Sequence, residues 1–240
     1  MNIVDLKDIK KSYPMGELSI EALKGVNLSF EAGDFAAVAG PSGSGKTTIM
    51  NIIGLIDNPT SGSVFIRGLE TEGLSRRDLT RLRREAIGFV FQSFNLLPVL
   101  TVMENVELPL LLGSSANDKK DAWKKNTKQR REWVEHLLNE VGLSDRRNHK
   151  PPELSGGQQQ RAAIARALAA KPSIVIADEP TANLDSDNGN RILDLMKTLN
   201  REEGTTFIFS THDSNIWNMA NRIIFLRDGQ IEKEEGIREK

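Results

Sequence analysis

The sequence predicts an α/β fold in which a mostly parallel sheet is covered by helices and interrupted by an inserted helical lobe. Three observations predict it. Short apolar runs rich in β-formers alternate with runs of helical texture along the 240 residues, the pattern of a parallel sheet with covering helices. The runs at 174–177 and 205–209 are apolar nearly throughout, as strands covered on both faces are. Residues 93–157 contain no convincing strand and read as helices and loops set into the sheet.

Taken in order, residues 3–9, 26–30 and 35–39 read as strands. A glycine-rich loop and a helix from Lys46 to about Ile56 follow. Asn58, Pro59, Thr60, Ser61 and Gly62 make a turn. Strands are expected at 64–67 and 87–91, with an arginine-rich helix over 75–85 between them. After Gln92 the texture changes to helix and loop. From Gly157 a helix runs to about Ala170. Strands at 174–177, 205–209 and 222–226 complete the sheet, with a helix through Ile192 and Leu195 before the second of these.

Composition excludes several classes of function. The net charge is -1, which argues against a general nucleic-acid binder. There is no cysteine, so disulfides and thiolate metal sites are absent. The N-terminus shows no apolar signal core. The richest apolar stretch, 108–112, is far short of the roughly 20 residues that span a bilayer. If the chain serves a membrane process, the membrane part is expected in another polypeptide.

Three motifs carry chemistry. Gly40, Pro41, Ser42, Gly43, Ser44, Gly45, Lys46 and Thr47 match G-x-x-x-x-G-K-[ST]. Glycines at these positions let successive N–H groups wrap a β-phosphate, Lys46 reaches the β- and γ-phosphates, and the Thr47 hydroxyl ligates Mg²⁺. An apolar strand before the loop and a helix after it supply the required context. The apolar run ending in Asp178 and Glu179 puts two acids at a strand's C-terminal end. Asp178 can hold the shell of Mg²⁺, and Glu179 can polarise an attacking water. The plainer reading, two solvated loop acids, loses force beside the phosphate loop. Leu154, Ser155, Gly156, Gly157 and Gln158 form a Ser-Gly-Gly turn opening a helix. Its free N–H groups and positive dipole end suit an anion held by backbone and hydroxyl.

Other residues carry two readings each. Gln92, after a strand, is either a surface residue or a γ-phosphate and Mg²⁺ sensor linking the lobes. His212, beyond the strand 205–209, is either a structural loop histidine or a γ-phosphate contact at the site crevice. Tyr13 is the only tyrosine, and it either packs as a half-buried loop aromatic or stacks on adenine. Asp185 can cap the following helix and can also touch a partner subunit. The basic stretches at 75–85 and 118–132 read first as solvated helix faces. The second has an alternative in anionic headgroups or a membrane subunit. The apolar segment 94–102 is a candidate docking surface or ordinary packing of the helical lobe.

Together these motifs resemble the ATP-binding subunits of ABC transporters over essentially the whole chain. The order is Tyr13, the loop 40–47, Gln92, the signature turn 154–158, Asp178 and Glu179, Asp185 and His212. The segments around 88–98, 104–109 and 154–161 are similar to the LolD, MacB and FtsE branch. The resemblance implies a single domain over 1–240. Its parts would be a RecA-like P-loop core with an antiparallel β subdomain (1–92 and 158–240) and an inserted helical subdomain (93–157). It implies an ATPase, converting ATP and water to ADP and phosphate, in which Glu179, His212 and Gln92 are catalytic. ATP would be bound by Tyr13, residues 40–47, Thr48, the turn at Ser155, Gly156, Gly157 and Gln158, and Asp185. Mg²⁺ would be held by Thr47, Gln92 and Asp178.

The implied partners are a second copy of this chain and integral membrane permease subunits with extracytoplasmic domains. The implied place is the cytoplasmic face of the inner membrane, peripheral to it. Lipoprotein release or efflux is the expected work. Force transmission to a cell-envelope partner, as in FtsE-like proteins, is the alternative. A soluble DNA-repair or translation ATPase would be expected to carry a coiled coil, zinc-binding cysteines or tandem domains, and none is visible here. Ala182 stands where the branch is expected to have glycine. The segment 114–133 is longer and more basic than the branch leads one to expect. From the short run after Gly229, no sizeable C-terminal regulatory domain is expected.

Overall fold

The computed structural model describes residues 2–16, 18–113, 123, 126–211 and 214–236. They form two sheets. In the first, β1 (Asn2–Met15) and β2 (Leu18–Glu31) make a long hairpin, joined by β4 (Ser61–Ile66) and β5 (Leu69–Glu70) in the antiparallel order β2-β1-β4-β5. The second contains β3 (Phe35–Ala39), β6 (Ile87–Val90), β7 (Ile174–Asp178), β8 (Thr206–Ser210), β9 (Arg222–Arg227) and β10 (Gln230–Gly236). Its order is β10-β9-β3-β8-β7-β6, parallel except for the β9–β10 pair.

The central strands show why their sequences are apolar throughout. Side chains alternate across a strand, and here both faces are covered. Phe35, Ala37 and Ala39 enter one core, and Ala36 and Val38 the other. On β8, Phe207 and Phe209 face the first core and Ile208 the second. The first core is roofed by helices. The second lies against β1, β2, β4 and α1 (Lys46–Ile53).

α2 (Arg76–Ala86) precedes β6, and α3 (Val102–Gly113), α4 (Thr127–Glu140) and α5 (Gly156–Ala169) form the helical lobe. Val106, Leu110, Leu137, Leu138, Ala162 and Ala165 are among its buried contacts. A shielded ion pair joins α3 to α4, with Arg130 Nε 2.6 Å from Glu107 Oε1. Trp133 Nε1 donates to Ala169 O at 2.9 Å and ties α4 to the end of α5. α5 also lies on the sheet, because a methyl group at Gly88 of β6 would stand 2.4 Å from Ala167 O. It therefore bridges lobe and sheet. α6 (Ser186–Glu203) and α7 (Ser214–Met219) complete the cover.

The structure corrects several boundaries. The helix expected to reach about Ile56 stops at Ile53, where Gly54 caps it and Leu55 takes a left-handed φ of 55°. The strand expected to include Phe91 ends at Val90. The strands read at 3–9 and 26–30 are the buried ends of much longer ones. Their outer ends are mostly exposed, with Met15, Leu18 and Ile20 open to solvent, and are held by backbone pairing between the strands. Two strands gave no apolar signal at all. β5 is two residues long, and β10 is a charged edge strand paired with β9 and tied to it by Arg222–Glu234 and Arg227–Glu232 ion pairs. Charged edges of this kind resist edge-to-edge association. No helix among the described residues is long and apolar enough to cross a membrane.

Candidate functional site

Residues 40–47 turn from the end of β3 into α1. Gly40, Gly43 and Gly45 have φ of 153°, 79° and 105°. Two of them also admit no side chain. A methyl group at Gly40 would stand 2.1 Å from Leu226 O, and one at Gly45 2.7 Å from Ala22 O. The loop is thus pressed onto β9 and β2. Lys46 Nζ donates to the carbonyls of Gly40 (2.8 Å) and Pro41 (2.9 Å), so its ammonium folds back over the loop. Ser44 Oγ is buried without a partner, and Thr47 at the first turn of α1 is exposed.

The other expected residues reach the same sheet edge. β7 ends at Asp178, opposite Ser210 of β8. Glu179 follows with a left-handed φ of 49°. Its N–H donates to Ser210 O at 2.9 Å, and its Oε2 accepts from the Thr211 hydroxyl at 3.3 Å. Gln92 lies two residues beyond β6, exposed. The ends of β3, β6, β7 and β8 therefore bring the loop, Gln92, both acids and Thr211 together at the carboxyl edge of a parallel sheet, where ligands of such sheets bind. His212 lies outside the described residues.

Tyr13 stands on β1 rather than in a loop. Its hydroxyl donates to Asp57 Oδ2 at 2.8 Å, and Lys11 Nζ lies 2.7 Å from Asp57 Oδ1 and 4.9 Å from the tyrosine ring centre. Burial, then the bond to Asp57, raises the phenol above its ordinary pKa, against a bond from Thr48. Burial pushes the Asp57 carboxyl up, but the bonds from Lys11, Tyr13 and the Asn58 N–H outweigh it and hold the group below the usual carboxylate range. Sequence reasoning missed Lys11 and Asp57, since only the fold brings residue 57 beside residue 13.

Ser155 caps α5. Its hydroxyl accepts from Gln158 N, and Gln158 Oε1 accepts from Ser155 N at 2.9 Å, a reciprocal capping box. The Gln158 Oε1 is thereby engaged in its own turn, while Ser155 and Gly156 remain exposed. A methyl group at Gly156 would meet Phe94, and one at Gly157 would meet Asn183 and Leu184. Among the described residues, no hydrogen bond or ion pair joins this turn to residues 40–47. Asp185 caps α6 through Asn188 N at 2.9 Å, and bonds first from that N–H and then from the Asn188 side chain hold its carboxyl below the usual range.

Residues 118–122, 124 and 125 of the basic segment lie outside the described residues. The apolar run 94–102 is divided: Leu96 packs on the core and Val102 is buried, while Leu97 and Val99 are exposed. Beside it a cleft of about 520 Å³ opens between Arg83 and Phe91 on one side and Leu108 and Leu112 on the other.

The edge of the parallel sheet fits a nucleotide phosphate with Mg²⁺. Gly40 and Gly45 leave room for nothing larger than backbone, and the buried Ser44 hydroxyl lacks a partner. Among the described residues no three acids or histidines form a metal cage. Mg²⁺ is ordinarily bound through one or two protein oxygens together with substrate phosphates, and Thr47 and Asp178 offer such oxygens at this edge.

The sequence profile of the ABC transporter family matches residues 23–182. The chain is 49% identical over 237 residues to the ABC transporter ATP-binding protein MJ0796 of Methanocaldococcus jannaschii, covering 98% of each. It is 46% identical to a macrolide export ATP-binding/permease protein MacB of Bdellovibrio bacteriovorus, over 98% of this chain but 34% of that protein. A dimeric post-hydrolysis structure of the MJ0796 cassette with ADP and Pi superposes with a TM-score of 0.91 at 48% identity, covering 99% of this chain and 100% of that one. The RecA-like P-loop core, antiparallel β sheet and inserted helical lobe are the fold of that cassette. The chain belongs to the ABC transporter ATP-binding proteins, a family of ATP hydrolases.

Proposed function

We propose that two copies of this chain bind ATP between them and hydrolyse it to drive separate membrane subunits. Each nucleotide sits between residues 40–47 of one copy and the turn at 155–157 of the other. One observation carries this reading. The phosphate loop, Gln92, Asp178 and Glu179 share one sheet edge, while the signature turn, with its exposed Ser155 and Gly156, is not joined to them within the chain. A second copy completes the site. The dimeric form of the MJ0796 cassette supports it.

The roles follow from position. Tyr13 stacks on adenine, its ring fixed by Asp57 and Lys11. Residues 40–48 enclose the phosphates, and Lys46 exchanges its two carbonyl partners for phosphate oxygens. Mg²⁺ would be held by Thr47, Gln92 and Asp178 and would neutralise charge on the transferring phosphoryl group. Glu179 orients the water and draws on its proton, with His212 and Gln92 contacting the γ-phosphate. Asp185 lies where it can touch the other copy while capping α6. Catalysis of this kind is mainly positioning and charge stabilisation.

The likeness to MacB supports export or release over force transmission alone, and a chain of this kind would work peripherally at the cytoplasmic face of the inner membrane. The cleft lined by Phe91, Asn95, Leu108 and exposed Leu112 is the surface for a cytoplasmic segment of the membrane subunit. The test is to purify Glu179→Gln with ATP from the membranes of its own cells. A co-purifying subunit with few spans and a large extracytoplasmic domain supports the reading. A many-spanning pore subunit, or none, refutes it for this branch.

A further inference from the structure

Arg166 lies in the last turn of α5, the helix that begins at the signature turn. No carboxylate among the described residues is in ion-pair range of it. Its guanidinium instead donates to two consecutive carbonyls, Phe94 O at 2.7 Å and Asn95 O at 2.5 Å. Both of those residues hold left-handed backbone, with φ of 58° and 50°. Two adjacent non-glycine residues in that region are energetically unfavourable, so something must hold them, and a rigid two-pronged donor is suited to it. The same loop touches the other end of α5, because a methyl group at Gly156 would lie 3.9 Å from the tip of the Phe94 ring. The segment that begins at Gln92 is thus bracketed by both ends of one helix. Arg166 and Asn95 also line the 520 Å³ cleft.

We infer that Arg166 is a positioning residue that couples Gln92 to the signature turn by holding the carbonyls of Phe94 and Asn95 against α5. A shift of Gln92 moves Phe94 and Asn95, and the two bonds pass that shift to α5, which is one unbroken helix buried on all sides from Ala162 to Ala165. The turn at 155–157 then moves with it. A segment seated in the cleft would press on the same guanidinium. This inference rests on the proposed roles of Gln92 and of the signature turn.

The test is a double-substitution cycle on steady-state ATP turnover, using Gln92→Ala, Arg166→Met and both together, with Arg166→Lys as a variant that keeps the charge. Binding of a fluorescent ATP analogue to the single subunit and thermal melting accompany each. Arg166→Met should lower turnover roughly tenfold to a hundredfold while leaving analogue affinity unchanged. Arg166→Lys, with a single point of contact, should be intermediate. The double variant should be no slower than the slower single one, because both act through one loop. Multiplying losses in the double variant, or a loss of analogue affinity in Arg166→Lys, would overturn the coupling role. Wild-type turnover in Arg166→Met with slow Gln92→Ala sinks the latch alone. Wild-type turnover in Gln92→Ala sinks the reading of Gln92 beneath it.

Discussion

Glu179 is held in a left-handed backbone conformation at a strand end, with its carboxylate accepting from Thr211. Strain of this kind persists where surroundings fix a side chain for a task. Replacing it with glutamine keeps the shape and removes the base, so phosphate release should fall by about a hundredfold or more, with nucleotide binding intact. Equal turnover would end the assignment. The glycines of the phosphate loop separate two physical effects. Gly43 has nothing within 4 Å of its missing methyl and suffers only from its φ of 79°, so Gly43→Ala should cost about 1–2 kcal/mol. Gly40→Ala adds a clash with backbone and should be clearly worse in chemical denaturation; equal losses would mean that the loop is not pressed onto β9.

Asp57 offers a pH-dependent test. Its folded pKa is depressed, so its bonds stabilise the fold above the unfolded carboxylate pKa of about 3.9 and that stability is lost as pH falls through the depressed value. Asp57→Asn should therefore be less stable than the native chain at pH 7, and the gap should close in acid. A constant gap would show that the carboxylate charge is not what matters. At this scale the sequence announced the residues whose chemistry is local, such as Lys46, Asp178 and Ser155. It was silent on Asp57 and Arg166, which act across 44 and 71 residues of chain or more.

At the scale of elements, legibility followed burial. β3, β7 and β8 are covered on both faces and were readable as apolar runs. β10 is made by backbone pairing among exposed charged residues, and the outer end of the β1–β2 hairpin by pairing whose apolar residues Met15, Leu18 and Ile20 stay exposed, so neither presents a buried run. α5 was readable at its start because its cap is written in the sequence. Ser155→Ala removes half of the capping box and should cost about 1 kcal/mol in urea unfolding. It should also slow turnover if, as proposed, the same hydroxyl contacts nucleotide held by the second copy. A stability loss without a kinetic one would confine Ser155 to capping.

For the whole molecule, the two halves of the proposed site lie at separate places on one chain, so chemistry depends on association. Turnover per subunit should rise with protein concentration and then level off; activity independent of concentration would mean that one chain suffices. The most direct test is the mass in solution of Glu179→Gln, which keeps nucleotide bound without consuming it. With Mg²⁺ and ATP it should form a species of twice 26.7 kDa, and the added change Ser155→Arg, whose bulk fills the turn, should return it to the single-chain mass with ATP still bound. A protein that binds ATP and stays at 26.7 kDa would contradict a site shared between two copies.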